Sequence, residues 1–239
     1  MRPPPQCREA RVSLDSHRRS WHFAGIMPLD IKICGLSTPE TIAAVLDGGA
    51  SHVGFIFFPK SPRNVTPAQA ALLRQAAIGR AKAVAVTVDA SDDFLDAIVS
   101  QMKPDMLQLH GKETPERVTY VRERYNLPVM KALSVSEPAD LLPIQGFVGV
   151  ADRLLLDAKA PKGSELPGGN GVSFDWRLLA ALDPGLDYML SGGLNPDNVG
   201  DAIRIANPPG LDVSSGVESA PGVKDTGLIR DFFEAARKA

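Results

Sequence analysis

"DYMLSGGLNPDNVGDAIRIANPPGLDVSSG", residues 187–216, contains one complete unit of a repeating pattern. An apolar run ends in Ser191-Gly192-Gly193. Asn195-Pro196 then reads as a helix cap, helical spacing continues to Ala206, and a second apolar run ends in Ser214-Ser215-Gly216. Runs this uniformly apolar fit strands of a parallel sheet covered on both faces. Parallel neighbours need a crossover between them, usually a helix.

The alternation extends back through the chain. Strand patterns occupy residues 29–34, 52–58, 82–88, 106–111, 128–135, 153–158, 187–193 and 211–216. Helical segments follow from about Thr38 to Gly48-Gly49, from Thr66-Pro67 to about Gly79, and over Ser91–Met102 and Thr114–Tyr125. A weak, short one lies around 137–146, and others over Phe174–Leu182, Asn195–Ala206 and Thr226–Lys238. Thr-Pro pairs at 38–39, 66–67 and 114–115 are N-cap and first-turn signals; Asp175 is expected only to cap its segment. Eight strand-then-helix units in about 210 residues predict an α/β fold, a (β/α)₈ TIM barrel forming a single domain over residues 27–239. An open doubly wound sheet is the competing architecture, but it gives no reason for eight units.

Composition agrees with a globular chain: 44% of the 239 residues are hydrophobic and 23% charged. Lys and Arg number 26 against 28 Asp and Glu, so no global field attracts nucleic acid or an anionic membrane, and anion recognition must be local. No run approaches the ~18 apolar residues of a membrane span. The two cysteines, Cys7 and Cys34, lack metal-type or C-x-x-C spacing and read as reduced thiols of a cytoplasmic protein. Residues 1–26 carry five Arg, three consecutive Pro and no apolar periodicity. They read as a disordered N-terminal extension; an Arg-rich transit peptide is the alternative, against which Glu9 and Asp15 count.

A barrel of this type carries its active site where strands end and loops begin. Those positions hold Cys34, the Pro59–Arg63 turn, Gln108, His110, Asp157, Ser191-Gly192-Gly193, Asp212 and Ser214-Ser215-Gly216. Gly35 lets the chain turn away and leaves the Cys34 sulfur facing a substrate. Gly192, Gly193, Ser214, Ser215 and Gly216 are expected to bind phosphate, because small residues let backbone N–H groups converge on an anion, helped by a helix N-terminus. Arg63 stands in a proline-stiffened turn and suits a planar carboxylate, whereas Lys60 reads as a solvated charge. Gln108 and His110 are candidates for substrate contact, with core packing as the alternative for each. The loop after Asp157 contains Gly168, Gly169 and Gly171 and reads as a lid. The histidines and carboxylates form no metal-ligand set, so no metal is expected.

"KICG" (32–35), "FFPKSPRNV" (57–65), "QLHG" (108–111), "LLDAKAP" with "GGNGVSFDW" (155–176), "LSGGLNPDNV" (190–199) and "LDVSSGVESAPGVKD" (211–225) together resemble the phosphoribosylanthranilate isomerases, in order and at comparable spacing. The resemblance runs from about Leu29 to the C-terminus. It implies a (β/α)₈ barrel of tryptophan biosynthesis that performs an Amadori rearrangement without a cofactor. It further implies Cys34 as general base, Asp157 as general acid, Arg63 on the anthranilate carboxylate, the strand-7 and strand-8 loops on the phosphate, and Asp212 on the sugar. The partner is then a small phosphosugar, with no nucleic acid or membrane, and the protein a monomer or homodimer. "GGNG" departs from the familiar GGTG or GGSG, which leaves the lid at Asn170 open.

The chemistry demands such a pair: an acid for the ring oxygen and a base for the C2 proton. A thiolate at neutral pH calls for a modestly depressed Cys34 pKa, and Asp157 for the opposite shift, so activity is expected to be bell-shaped in pH. A histidine-pathway aminoaldose isomerase would carry aspartate at the strand-1 position and a twofold repeat. A ribulose-phosphate epimerase would supply histidine ligands, which His17, His22, His52 and His110 do not form. A non-catalytic phosphosugar sensor would not need both Cys34 and Asp157.

Overall fold

Eight parallel strands close on themselves: β1 (Asp30–Cys34), β2 (His52–Phe57), β3 (Lys82–Thr87), β4 (Met106–Leu109), β5 (Val129–Val135), β6 (Arg153–Ala158), β7 (Tyr188–Leu190) and β8 (Gly210–Val213). β8 closes the barrel against β1, with Lys32 opposite Asp212. The computed structural model describes residues 29–161, 163–164 and 166–239. The expected extension over 1–26, with Cys7, His17 and His22, lies outside the described residues.

Side chains alternate across each strand, so one set points into the barrel and the other toward the helices. The inward set forms a separate apolar cluster of Cys34, Val84, Val86, Met106, Met130, Ala132, Leu155 and Met189. The outward set, including Ile31, Ile33, Val53, Phe55, Leu107 and Leu156, joins the larger core with Ile42, Ile98, Val118 and Phe232 from the helices. Asp157 shares the inward parity of Leu155, as Asp212 does that of Gly210. Parity therefore carries the chemistry-bearing residues to the mouth of the barrel.

The described residues hold six α-helices: α1 (Pro39–Asp47), α2 (Pro67–Arg74), α3 (Asp92–Met102), α4 (Pro115–Tyr125), α5 (Val199–Ala206) and α6 (Thr226–Lys238). Thr38, Thr66 and Thr114 cap α1, α2 and α4 as expected, each side chain accepting from the backbone N–H three residues on. Three expected helical segments differ. Pro138–Gly146 is a 3₁₀ helix, since Pro143 within it lacks the N–H that an α-helix needs. Trp176–Ala181 is also 3₁₀, capped by Asp175 and stopped before Asp183-Pro184-Gly185. α5 starts four residues late because Asn195 and Asn198 fold the preceding residues into a side-chain-bonded turn. Asn195 Oδ1 accepts from the N–H groups of Asp197 (2.9 Å) and Asn198 (3.1 Å), and Asn198 Nδ2 donates to Gly193 O (2.9 Å).

Two features had no expectation. An antiparallel hairpin, β9 (Glu218–Ala220) with β10 (Val223–Lys224), follows β8 and brings Glu218 and Lys224 to the barrel mouth. A buried ion pair, Lys131 to Glu113 at 2.7 Å, ties β5 to the loop after β4. Glu113 also accepts from the N–H groups of Asp89 (3.0 Å) and Gly111 (2.9 Å), so one carboxylate pins the loops that follow β3 and β4.

At the opposite end, Arg153 joins Asp30 (2.6 Å) and Asp187 (2.9 Å), bracing β1, β6 and the entry to β7. His52 is buried beside this group, its Nδ1 2.8 Å from Ser51 Oγ. Burial pulls its pKa down from 6.5 to about 4 despite the opposing pull of Asp30. The folded state thus keeps a neutral imidazole where the unfolded chain takes up a proton. Stability is full above the unfolded value near 6.5 and is lost as pH falls toward 4. The expected loss is about 3 kcal/mol over that window. Urea unfolding at several pH values checks this: His52→Asn should remove that part of the acid sensitivity, and an unchanged slope would contradict it.

Candidate active site

Cys34 ends β1 on the inward face, 5% exposed. Gly35 follows at φ +78°, a conformation that favours glycine, and a Cβ there would lie 2.7 Å from Arg63 Cδ. The Gly35 and Leu36 N–H groups both donate to Gly54 O, which anchors the turn to β2. Burial pushes the Cys34 thiol above its usual range; Lys32 and Lys224 oppose that shift and Asp212 adds to it. The expected depression of this pKa is therefore reversed in the free site, because desolvation outweighs the nearby ammonium groups.

Arg63 is aimed by a compact turn after β2. Ser61 N donates to Phe58 O (2.8 Å), Asn64 N to Ser61 O (3.1 Å) and Val65 N back to Ile56 O (3.0 Å). The buried guanidinium forms a fork with Glu218, Nε to Oε1 at 2.7 Å and Nη2 to Oε2 at 2.8 Å. Lys224 Nζ reaches the same carboxylate at 2.5 Å. Burial alone would raise the Glu218 pKa, but Arg63 and Lys224 outweigh it and hold the carboxyl below its usual range. Arg63 is thus already gripped on one edge, and its Nη1 faces the loop at Gly169.

On the far side, Asp157 of β6 is 4% exposed and its Oδ2 lies 3.2 Å from His110 Nε2. Gln108 does not line the cleft. It is fully buried, with Nε2 3.0 Å from His110 Nδ1. A ring nitrogen that accepts from Gln108 leaves Nε2 as the donor toward Asp157. The expectation of substrate contact by Gln108 is replaced by support of His110.

Lys32, two residues before Cys34, is fully buried and its Nζ lies 2.8 Å from Asp212 Oδ1. Ser191 Oγ donates to Asp212 Oδ2 at 3.3 Å. The strand-7 and strand-8 turns meet above this pair. Gly192, Gly193, Ser214 and Ser215 line one cleft with Cys34, Arg63, His110, Asp157 and Asp212, about 750 Å³ with its open mouth included. The backbone N–H groups of Gly192 and Gly193 donate to no other described residue, the condition for holding an anion. Gly216 lies outside the cleft, packed against the Leu194 carbonyl. The turn after β8, Ser215–Val217, is a single 3₁₀ turn, and the helix that follows starts at Thr226 as expected.

The loop after β6 lies across the cleft, with Leu166, Pro167, Gly168, Gly169 and Asn170 among its lining residues. A Cβ on Gly168 would sit 2.5 Å from Asp157 Oδ2, and one on Gly169 would sit 2.9 Å from Arg63 Nη1. Gly171, with nothing near its Cβ position, stands off the cleft. Asn170 fastens the loop to itself, Nδ2 donating to Leu166 O (3.1 Å) and Oδ1 accepting from Ser164 (2.9 Å). Lys32, Glu218 and Lys224 escaped the sequence-based set. The lysine's inward parity with Cys34 was a legible signal for the first; an unforeseen hairpin hid the other two. Among the described residues no three His, Cys, Asp or Glu side chains could hold a metal ion, and no helix is long and apolar enough to cross a membrane.

A sequence profile of the N-(5'-phosphoribosyl)anthranilate (PRA) isomerases matches residues 31–235. The chain is 71% identical over 213 residues to N-(5'-phosphoribosyl)anthranilate isomerase of Mesorhizobium japonicum, covering 89% of this chain and 97% of that one. Its fold is similar to the crystal structure of phosphoribosyl anthranilate isomerase from Thermotoga maritima, at TM-score 0.79 and 34% identity over 88% of this chain and 100% of that one. It is also similar to such an isomerase in complex with reduced 1-(o-carboxyphenylamino)-1-deoxyribulose 5-phosphate, at TM-score 0.77 and 32% identity with the same coverage.

The close seat of Gly168 on Asp157 gives a direct test of the loop. Gly168→Ala should displace the loop without touching the barrel. Hydrogen exchange across residues 166–172 is expected to quicken while that of β1–β8 stays unchanged. Unaltered exchange in the loop would show that it does not rest on Asp157.

Proposed function

The chain belongs to the phosphoribosylanthranilate isomerase family and converts N-(5'-phosphoribosyl)anthranilate to 1-(2-carboxyphenylamino)-1-deoxyribulose 5-phosphate in tryptophan biosynthesis, and we propose that Cys34 and Asp157 do so as base and acid. The observation that carries this assignment is their placement: both point inward at the same barrel mouth, on strands β1 and β6, and both line one cleft.

Asp157 gives a proton to the ribose ring oxygen, and the ring opens to a protonated imine (iminium) at C1. In its thiolate form, which Lys32 and Lys224 favour against burial, Cys34 then takes the C2 proton of that iminium, leaving a neutral enolamine. Tautomerisation puts a proton on C1 as the C2 hydroxyl loses one, leaving a carbonyl at C2. The proton taken up by Cys34 is returned to Asp157 through solvent, so the substrate gains and loses no atom and both groups are restored. His110 stays hydrogen-bonded to the carboxyl of Asp157 and fixes its direction. The loop at Gly168 keeps water from that carboxyl, which strengthens every interaction beneath it.

Arg63 takes the anthranilate carboxylate, with its stem packed on Gly35 and its Nε edge anchored by Glu218. The backbone of Gly192 and Gly193, with Ser214 and Ser215, takes the phosphate. Asp212 faces the sugar while Lys32 and Ser191 hold it in place. The partner is thus a small phosphosugar. A reduced thiol used as a base suits the cytoplasm.

Following the fluorescence of phosphoribosylanthranilate as it disappears tests the two roles. Cys34→Ala and Asp157→Asn should each lower kcat by about 10²- to 10⁴-fold with circular dichroism unchanged. Full activity in Cys34→Ala would remove the thiol from the mechanism.

A further inference from the structure

Lys32 enters the scheme above only as a holder of Asp212 and as one of two ammonium groups acting on Cys34, yet it is a fully buried lysine beneath the proposed base. We infer that Lys32 is a positioning residue for this reaction: its ammonium, steered by Asp212, is the counter-ion of the Cys34 thiolate. The inference rests on the reading of Cys34 as base.

The geometry brings the three groups together. Lys32 and Cys34 are two apart on β1 and share its inward face. Gly54 on β2 marks their junction, since a Cβ there would lie 3.1 Å from Cys34 Sγ and 3.2 Å from Lys32 Cε. Asp212 stands opposite Lys32 in the β1–β8 register and binds its Nζ at 2.8 Å. Lys32 from β1, Asp212 from β8 and Lys224 from β10 are the charged groups that act most strongly on Cys34; Arg63 and Asp157 line the same cleft, and β2 sets the uncharged Gly54 and Ile56 beside it. Lys224 approaches from the other side, donating to Ser214 O (2.9 Å) and Oγ (3.3 Å), and Ser214 Oγ donates to Cys34 O (3.1 Å).

In this arrangement Asp212 and the thiolate compete for one ammonium. Burial works against the thiolate, Lys32 is the first counterweight to it, and Asp212 acts in the opposite sense. The two members of one ion pair should thus move Cys34 in opposite directions. A pair that only filled the barrel would not do so.

The test follows the titration of Cys34 by the carbon NMR shift of Cβ-labelled cysteine, in the full chain carrying Cys7→Ser. Lys32→Met should raise the titration midpoint by about one pH unit or more and lower kcat by about tenfold or more, with KM little changed. Asp212→Asn should lower the midpoint. Midpoints that stay fixed, or that move the same way in both variants, would overturn the inference. Where Lys32→Met does not fold, Asp212→Asn decides alone: a downward shift upholds it, and no shift or an upward one overturns it. Full activity in Cys34→Ala would instead remove the base, and with it any part for Lys32 in the reaction, whatever the titration shows.

Discussion

An ammonium inside a closed barrel has no water to solvate it and must find a carboxylate. Lys32 finds Asp212 at 2.8 Å, and the rest of the catalytic face is arranged around that pair. Removing one partner of a buried pair typically costs about 3–5 kcal/mol, whereas replacing both by apolar groups is often neutral. Such a pair is therefore weak evidence of a need for stability. Its value here lies in what stands beside it: Cys34 two residues on along β1, Ser191 at the strand-7 turn, and the cleft that Asp212 lines. Closure of β8 on β1 sets the register that makes the pair, so barrel topology and site electrostatics are one constraint.

A second buried system stands beside the first. Glu218 is shared by Arg63 and Lys224, and all three are supplied or held by the hairpin after β8. Two cations on one carboxylate leave positive charge over, and that surplus lies at the cleft proposed to take a substrate bearing a carboxylate and a phosphate. A chain of nearly balanced net charge thereby builds a local anion site, with its screening from solvent improved by the loop that rests on Asp157 and Arg63.

The strands were legible because each is a nearly unbroken apolar run, and the Thr-Pro caps because their chemistry is local. Cys34, Arg63, His110, Asp157 and Asp212 could be placed at the mouth from strand ends alone. What escaped depends on distant partners or on backbone detail. Pro143 turned an expected helix into a 3₁₀ segment. The hairpin of Glu218 and Lys224 has only a short Ala-Pro-Gly turn to announce it. Gln108 shares the inward parity of the site residues but sits too deep to reach the cleft. The direction of the Cys34 pKa could not be read from composition, since it is the outcome of burial against two lysines from different strands.

The central claim is that Cys34 and Asp157 face the reacting carbons from opposite walls of one cleft. A crystal structure of this chain with the reduced product analogue bound would measure it directly. The account predicts Cys34 Sγ within about 3.5 Å of C2, Asp157 across from it, and the phosphate on the turns at Gly192-Gly193 and Ser214-Ser215. A sulfur more than about 5 Å from C2, with another side chain in its place, would contradict it.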